Sequence, residues 1–179
     1  MVMSHLAAES GRRRFRSEAE ASLEARRRRF EALAEVEDVK GAAVRAKLSA
    51  EELLEKNKAL YYEVILGNMG ELEAAIADGA EVDWHNPNAH QCTALHTAAW
   101  NYKLEAVAAL ISHGADLNAR NKYGETPLMS ASYEGHAKVV GALLDAGADI
   151  KLKNDGGYTA LDLARKRRKY EVVALLERS

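Results

Sequence analysis

A 33-residue period constrains the fold of this chain more than any other feature of its sequence. Thr93, Thr126 and Thr159 recur at intervals of 33 residues, and the same interval separates Gly114 from Gly147. A fixed period of this length is typical of a solenoid, in which short units stack side by side. Because one unit cannot cover its own apolar face, neighbouring units must cover it.

The sequence pattern of each unit predicts two helices joined by turns. The opening Thr can cap the free N–H groups of the first helix, and Pro127 suits a first helical turn. The second helix carries branched apolar residues at i, i+3 and i+4, the face that it must bury. Gly-Ala-Asp at 114–116 and 147–149 ends that helix, and turn sequences at 121–124 and 154–157 form projecting tips. The apolar residues of the second helices are Val107, Leu110 and Ile111, then Val140, Leu143 and Leu144.

These motifs resemble the ankyrin repeat. The resemblance covers about residues 58–179, and it is strongest where Thr-Pro-Leu (126–128), Gly-His (135–136) and Gly-Ala-Asp (147–149) follow one another. The first unit is degenerate, with two extra residues in the loop 84–90, and the last unit lacks Gly-Ala-Asp, as a capping repeat would. The resemblance implies an all-α, ankyrin-type helical solenoid of about four repeats with short β-hairpin tips. The expected units are about 58–90, 91–123, 124–156 and 157–179.

Residues 1–57 are predicted to form a charged helical extension of one or more helices. Capping-box spacing occurs at 17–20 and at 49–52, while Gly41 is expected to bend or break the helix. No run of three or four clean heptads supports a coiled coil. The extension therefore needs the repeats or a partner to cover its thin apolar stripe. That stripe comprises Leu23, Phe30, Leu33, Val36 and Val44.

Charge is unevenly distributed along the chain. Residues 1–30 carry eight Arg and four Glu, whereas residues 61–179 carry twelve basic and sixteen acidic residues. This split indicates a basic arm attached to a mildly acidic body. Arg runs can bind phosphates or an acidic protein, or can simply be solvated. A second run lies at 165–169. The candidate arm contacts are Arg12, Arg13, Arg14, Arg26, Arg27, Arg28 and Arg29.

The sequence carries no recognisable catalytic motif. It has no Gly-rich phosphate loop, paired acid motif or metal-spacing cluster, so we expect no enzyme activity, no cofactor and no metal. Cys92 with His96 forms a possible nucleophile and base, but no supporting motif accompanies them. His85 and His90 share the enlarged loop without the further ligands that a metal site needs. Trp84, in the same loop, is expected to cover an apolar edge or to meet a partner.

The compartment is constrained only broadly. A single cysteine excludes an internal disulfide and favours an intracellular location, cytoplasmic or nuclear, with organelles still open. No apolar stretch reaches the about 18 residues that a membrane span needs. The N-terminus also lacks the apolar block of a secretory signal.

The resemblance implies protein binding through the loop tips and the exposed side of the first helices. The expected role is a non-catalytic adaptor, scaffold or accessory subunit of a larger assembly. Nucleic acid or a nucleoprotein particle, bound by the Arg-rich arm with the repeats as a docking platform, is the alternative. The predicted partner-binding residues are His90, Trp100, Asn101, Lys122, Tyr123, Glu125, Tyr133, Glu134, Asp155, Tyr158, Lys166 and Arg167.

Two pairs within this set lie one period apart. Trp100 aligns with Tyr133, and His90 aligns with Tyr123, so each pair is expected to form a row in the stack. Exposed aromatic rows resemble interface anchors. The alternative is that these rings pack on neighbouring repeats or on the N-terminal helix. His96, by the same resemblance, is expected to form a structural hydrogen bond between adjacent loops.

Overall fold

Eight helices follow one another in the part of the chain that the structure describes. This structure is a computed structural model, and it describes Val44 and residues 48–179. The capping-box spacing predicted at 17–20, Gly41 and the candidate arginines of the arm lie outside those residues. The helices are α1 (Ala50–Leu66), α2 (Met69–Ala77), α3 (Ala94–Trp100), α4 (Leu104–Ser112), α5 (Pro127–Glu134), α6 (Ala137–Ala146), α7 (Ala160–Lys166) and α8 (Tyr170–Leu176).

Threonine caps start the first helix of three units. Thr93, Thr126 and Thr159 have extended backbones, and each side chain accepts a hydrogen bond from the N–H three residues later. Pro127 occupies the first turn of α5. At Asp162, hydrogen bonds from the backbone N–H and hydroxyl of Thr159 lower the pKa of the carboxyl group. The predicted role of the repeated threonines is confirmed.

Successive units pack first helix on first helix and second helix on second helix. Helices α1, α3, α5 and α7 form one layer, and α2, α4, α6 and α8 form the other. The apolar face of each second helix is buried: Val107, Leu110, Val140 and Leu143 are fully inaccessible to solvent. The stack has one continuous core, and its four helix pairs confirm an all-α ankyrin-type solenoid.

Helix α1 belongs to the first helix pair along much of its length. Ser49 and Glu52 form the predicted capping box, and the helix runs without a break across position 57, the predicted end of the extension. Leu60 and Val64 are buried, and Asn57 accepts a hydrogen bond from the N–H of Glu81 at 2.7 Å. Residues 50–57, which the sequence pattern assigned to the extension, therefore lie in the same helix as Leu60 and Val64.

The projecting tips are tight turns instead of the predicted β-hairpins. Among residues 48–179 no β-strand forms, and the one bridge, between Asn86 and Cys92, is isolated. At the next tip the Asn121 side chain accepts hydrogen bonds from the N–H groups of Tyr123 and Glu125. These side-chain bonds close the turn within five residues, which leaves too little backbone for a ladder of paired strands.

The buried second helices give a direct stability prediction. Truncating Leu143 to Ala should leave a cavity among second helices and lower the free energy of unfolding by about 2–5 kcal/mol. Urea unfolding followed by circular dichroism measures this change. Tyr170→Ala is the matched control because Tyr170 is 75% exposed, and it should change stability by less than about 0.5 kcal/mol. Equal effects of the two substitutions would contradict the described core.

Candidate functional site

A stacked row of side chains crosses three units at the ends of their first helices. The rings of Trp100 and Tyr133 are nearly parallel, at 20°, with centroids 5.6 Å apart. The guanidinium carbon of Arg167 lies 4.3 Å from the centroid of the Tyr133 ring. Trp100 remains 46% exposed. This set, Trp100, Tyr133 and Arg167, is called the stacked row below.

The loop tips form a second row of rings and cations. His90 and Tyr123 have centroids 5.5 Å apart, and the Lys122 ammonium lies 4.9 Å from the centre of the Tyr123 ring. In the next unit, the Lys166 ammonium lies 4.8 Å from the centre of the Tyr158 ring. Such cation–ring contacts are attractive and fix the position of long side chains.

Backbone hydrogen bonds join successive tips. The Lys122 N–H donates to the His90 carbonyl at 2.9 Å, and the Asp155 N–H donates to the Tyr123 carbonyl at 3.0 Å. The Arg120 guanidinium also reaches Asp155, with a nitrogen–oxygen distance of 3.3 Å. These bonds tie the side chains of the second row to a shared framework.

The predicted partner-binding residues are not equally accessible. Nine of the twelve are exposed, whereas Glu125, Tyr133 and Glu134 are half-buried. Asn101 is exposed, but its side chain donates to the Thr97 carbonyl at 2.9 Å. The aromatic rings both contact neighbouring repeats and expose surface, so the two interpretations of the rows are compatible. Their use by a partner stays a prediction. The nine exposed residues are His90, Trp100, Asn101, Lys122, Tyr123, Asp155, Tyr158, Lys166 and Arg167.

Tyr102 is a candidate site residue that the sequence analysis did not identify. Its φ is +56°, a left-handed conformation that costs a non-glycine residue about 1–2 kcal/mol. Gly135 and Arg168, one and two periods later in the chain, have the same kind of conformation at +88° and +57°. A tyrosine at a position where the next unit has glycine is the sequence signal that could have identified Tyr102. Its exposed ring lies 5.1 Å from that of His136, whose Nε2 donates to the Trp100 carbonyl at 2.9 Å.

His96 is held by one hydrogen bond at each of its ring nitrogens. Its Nδ1 accepts from the Thr93 N–H at 3.2 Å, and its Nε2 donates to the Glu125 carbonyl at 2.9 Å. An N–H can only donate and a carbonyl can only accept, so this geometry specifies the neutral ring protonated at Nε2. Burial lowers the pKa of His96 from 6.5 to about 4. The bond to Glu125 confirms the predicted link between adjacent loops.

The comparison with protein families agrees with this geometry. A sequence model of ankyrin repeats, in three copies, matches residues 47–154 and 121–178. The chain belongs to the ankyrin repeat family. Ankyrin repeats are generally protein–protein interaction modules and generally lack catalytic activity. A search of curated proteins found no match for this chain.

In this ankyrin array, His96 is not available as a base for the Cys92 thiol. Both nitrogens of that ring are already engaged, and burial raises the pKa of the Cys92 thiol. A thiol is a poor nucleophile until it loses its proton. Cys92 instead accepts a long contact from the Asn121 side-chain nitrogen, at 3.8 Å.

The enlarged loop of the ankyrin array has a packing role. Trp84 meets Tyr61 of α1 edge-on, with centroids 6.5 Å apart. This contact matches the predicted covering of an apolar edge. His85 and His90 gain no further ligands: within residues 48–179 and Val44, no three His, Cys, Asp or Glu side chains are placed to hold a metal ion. Over the same residues, no helix is both long and apolar enough to cross a bilayer.

The pKa of His96 predicts how stability depends on pH. The unfolded chain takes up the proton near pH 6.5, but the folded chain takes it up only near pH 4. The neutral ring therefore makes its full contribution to the free energy of unfolding above pH 6.5. This contribution is lost as the pH falls towards 4. The expected loss is about 3 kcal/mol at most.

Urea unfolding between pH 7 and pH 4 tests this dependence against the variant His96→Met. Methionine is a suitable replacement because Met129 occupies the equivalent position one period later. The variant should be less stable at neutral pH, and its stability should fall less as the pH is lowered. Parallel pH profiles for the two proteins would show that His96 does not titrate on unfolding.

Proposed function

We propose that this ankyrin array is a non-catalytic adaptor, scaffold or accessory subunit that binds a partner protein through its two rows. The observation that carries the proposal is the stacked row. Trp, Tyr and Arg are the residues most enriched among interface positions that dominate binding energy. Here one of each type lies side by side across three units, and nearly half of the Trp100 surface is exposed.

The contacts within the rows also reduce the entropy cost of binding. A free Trp or Arg side chain loses rotamer freedom when a partner immobilises it, at about 0.5–1.5 kcal/mol each. In the stacked row, ring stacking and the cation–ring contact already restrict these side chains. A partner that contacts the row therefore meets a surface that is already ordered.

The strained backbone at Tyr102 supports the same surface. A tyrosine here adopts the left-handed conformation that Gly135 has in the next unit, and Arg168, beside Arg167 of the stacked row, adopts it in the last unit. Backbone strain of this kind concentrates at functional sites, where the functional contribution of the side chain outweighs the stability that the strain costs. Tyr102 lies two residues from Trp100 and exposes its ring, so we include it in the proposed contact surface.

Side-chain contacts favour a protein partner over nucleic acid for the basic run at 165–169. Arg165 pairs with Glu177 at 2.7 Å, and Lys166 and Arg167 lie against tyrosine rings. These cations already have partners within the array. The Arg-rich arm, which lies outside the described residues, leaves nucleic acid binding as the competing proposal, and the arm is also a candidate second contact for a protein assembly.

The stacked row predicts the result of a binding measurement. Partner proteins recovered with the full chain would be titrated against the wild type and the double variant Trp100→Ala/Tyr133→Ala. Binding should weaken by more than about 2 kcal/mol. Tyr170→Ala is the control, because this exposed ring lies on a second helix and outside both rows.

Two outcomes would count against the proposed surface. In one, the double variant melts earlier while its folded fraction keeps full affinity, which would make the rings structural only. In the other, the full chain binds a random-sequence duplex with an affinity that falls steeply between low and physiological salt. That second result would favour nucleic acid as the ligand.

A further inference from the structure

The side chains of the stacked row carry hydrogen-bond donors that the array does not use. Trp100 has an indole N–H, Arg167 has guanidinium N–H groups, and the Tyr133 hydroxyl can donate as well as accept. Among residues 48–179, none of these donors has an acceptor. A ligand rich in acceptors therefore matches the row better than a ligand rich in donors.

Four cations in or beside the stacked row have no acidic partner. Arg167 belongs to the row, Arg168 and Lys169 follow it, and Lys103 lies three residues after Trp100. In the described part of the chain, no carboxylate forms an ion pair with any of the four. Contact with a tyrosine ring orients Arg167 but leaves its charge in place. Lys103, Arg167, Arg168 and Lys169 are called the basic strip below.

The two lysines of the basic strip are positioned by the preceding units. Lys103 and Lys169 are the N-cap residues of α4 and α8, as His136 is of α6 between them. The Lys169 stem lies across Gly135, where a Cβ would come within 2.6 Å of the lysine Cδ, and the Lys103 ammonium lies 3.3 Å from the same point at Gly67. His136 bonds to a backbone carbonyl of the stacked row. The strip and the row therefore share one edge of the array.

Neighbouring acidic residues do not neutralise the basic strip. Glu105 and Glu171 each follow a lysine of the strip by two residues, in the first turns of α4 and α8. Residues two apart at a helix do not face each other. Glu134, at the end of α5, is half-buried. The strip therefore keeps a net positive charge.

Charge is also divided along the array. Residues 50–83 contain nine acidic residues and two lysines, whereas residues 151–179 contain eight basic and four acidic residues. The first repeat repels an anion, and the last unit attracts it. An acidic ligand is thus drawn to the end of the array where the basic strip meets the stacked row.

We propose that the partner presents an acidic segment, rich in Asp and Glu, to the stacked row and the basic strip. This inference rests on the proposed function and specifies the chemistry of the partner. Carboxylates are acceptors only, so they suit the unused donors of Trp100 and Arg167. Arginine also binds a carboxylate through two parallel hydrogen bonds, which makes Arg167 and Arg168 the main charged contacts.

The arrangement of the rings favours an acidic protein segment over nucleic acid. Proteins that bind single strands offer ring faces on which bases stack. Tyr133 lies between Trp100 of the preceding unit and Arg167 of the following one, so its faces are already covered. A duplex, which carries one charge per about 1.7 Å, would extend towards the acidic first repeat. A short acidic segment can contact the last units alone.

Binding of a defined acidic peptide to the full chain tests this inference. The probe is a short fluorescein-labelled peptide in which glutamate alternates with alanine, and its affinity is measured by fluorescence anisotropy. The variant Arg167→Gln/Arg168→Gln should weaken binding at least about fivefold, as expected for the loss of two ion pairs. A peptide with glutamine in place of every glutamate should bind more weakly than the probe.

The matched control is Lys151→Gln/Arg178→Gln, which removes the same charge from two exposed residues outside the basic strip. It should change the affinity by less than about twofold, because separated surface charges are screened. Both variants keep the Arg-rich arm, so any binding by the arm affects them equally. Equal weakening by the two variants would overturn the inference, since the peptide would then respond to overall charge alone.

Two further results would also overturn the inference. The first is a single-stranded DNA of the same net charge that displaces the peptide at lower concentration and loses affinity in the Arg167→Gln/Arg168→Gln variant. That result would assign the surface to nucleic acid. The second is a recovered partner protein whose binding needs Trp100 and Tyr133 but is unchanged in the arginine variant. In that case the proposed function would stand and only the acidic chemistry of the partner would be wrong.

Discussion

The apolar faces buried between successive helix pairs hold this molecule together. Every second helix contributes buried apolar side chains, such as Leu72 in α2, Leu110 in α4 and Leu143 in α6, to one continuous core. A unit of 33 residues could not bury enough surface by itself. Because the units must match each other to pack, equivalent positions fall into register, and exposed side chains such as Trp100 and Tyr133 become neighbours.

The parts of the fold that follow from short-range chemistry could be predicted from the sequence. Thr93 and its counterparts cap helices because a hydroxyl at that position satisfies free N–H groups, and the period then fixes the helix pairs. The continuity of α1 from Ala50 to Leu66 was not predicted, because the exposed positions before residue 57 are mostly acidic and matched the charged extension. The strandless tips depend on Asn121 side-chain bonds that compete with strand pairing.

The candidate site was partly predictable from the 33-residue period. The period predicted that Trp100 would align with Tyr133, and the rings do stack. It did not predict that Arg167 lies over Tyr133, because Arg167 is 34 residues after Tyr133 and not 33. It also did not predict the strained backbone at Tyr102. Those features depend on how the turn between the first and second helix runs, and the spacing of apolar residues carries no information about that turn.

Native-state hydrogen exchange on the variant Leu110→Ala would test the stacking of the repeats most directly. Leu110 is fully buried in α4, which packs against α2 on one side and α6 on the other. If each helix pair is stabilised by its neighbours, amides in α2 and α6 should lose protection together with those in α4. Loss of protection confined to α4, with α6 unchanged, would contradict a stack in which each unit depends on the next.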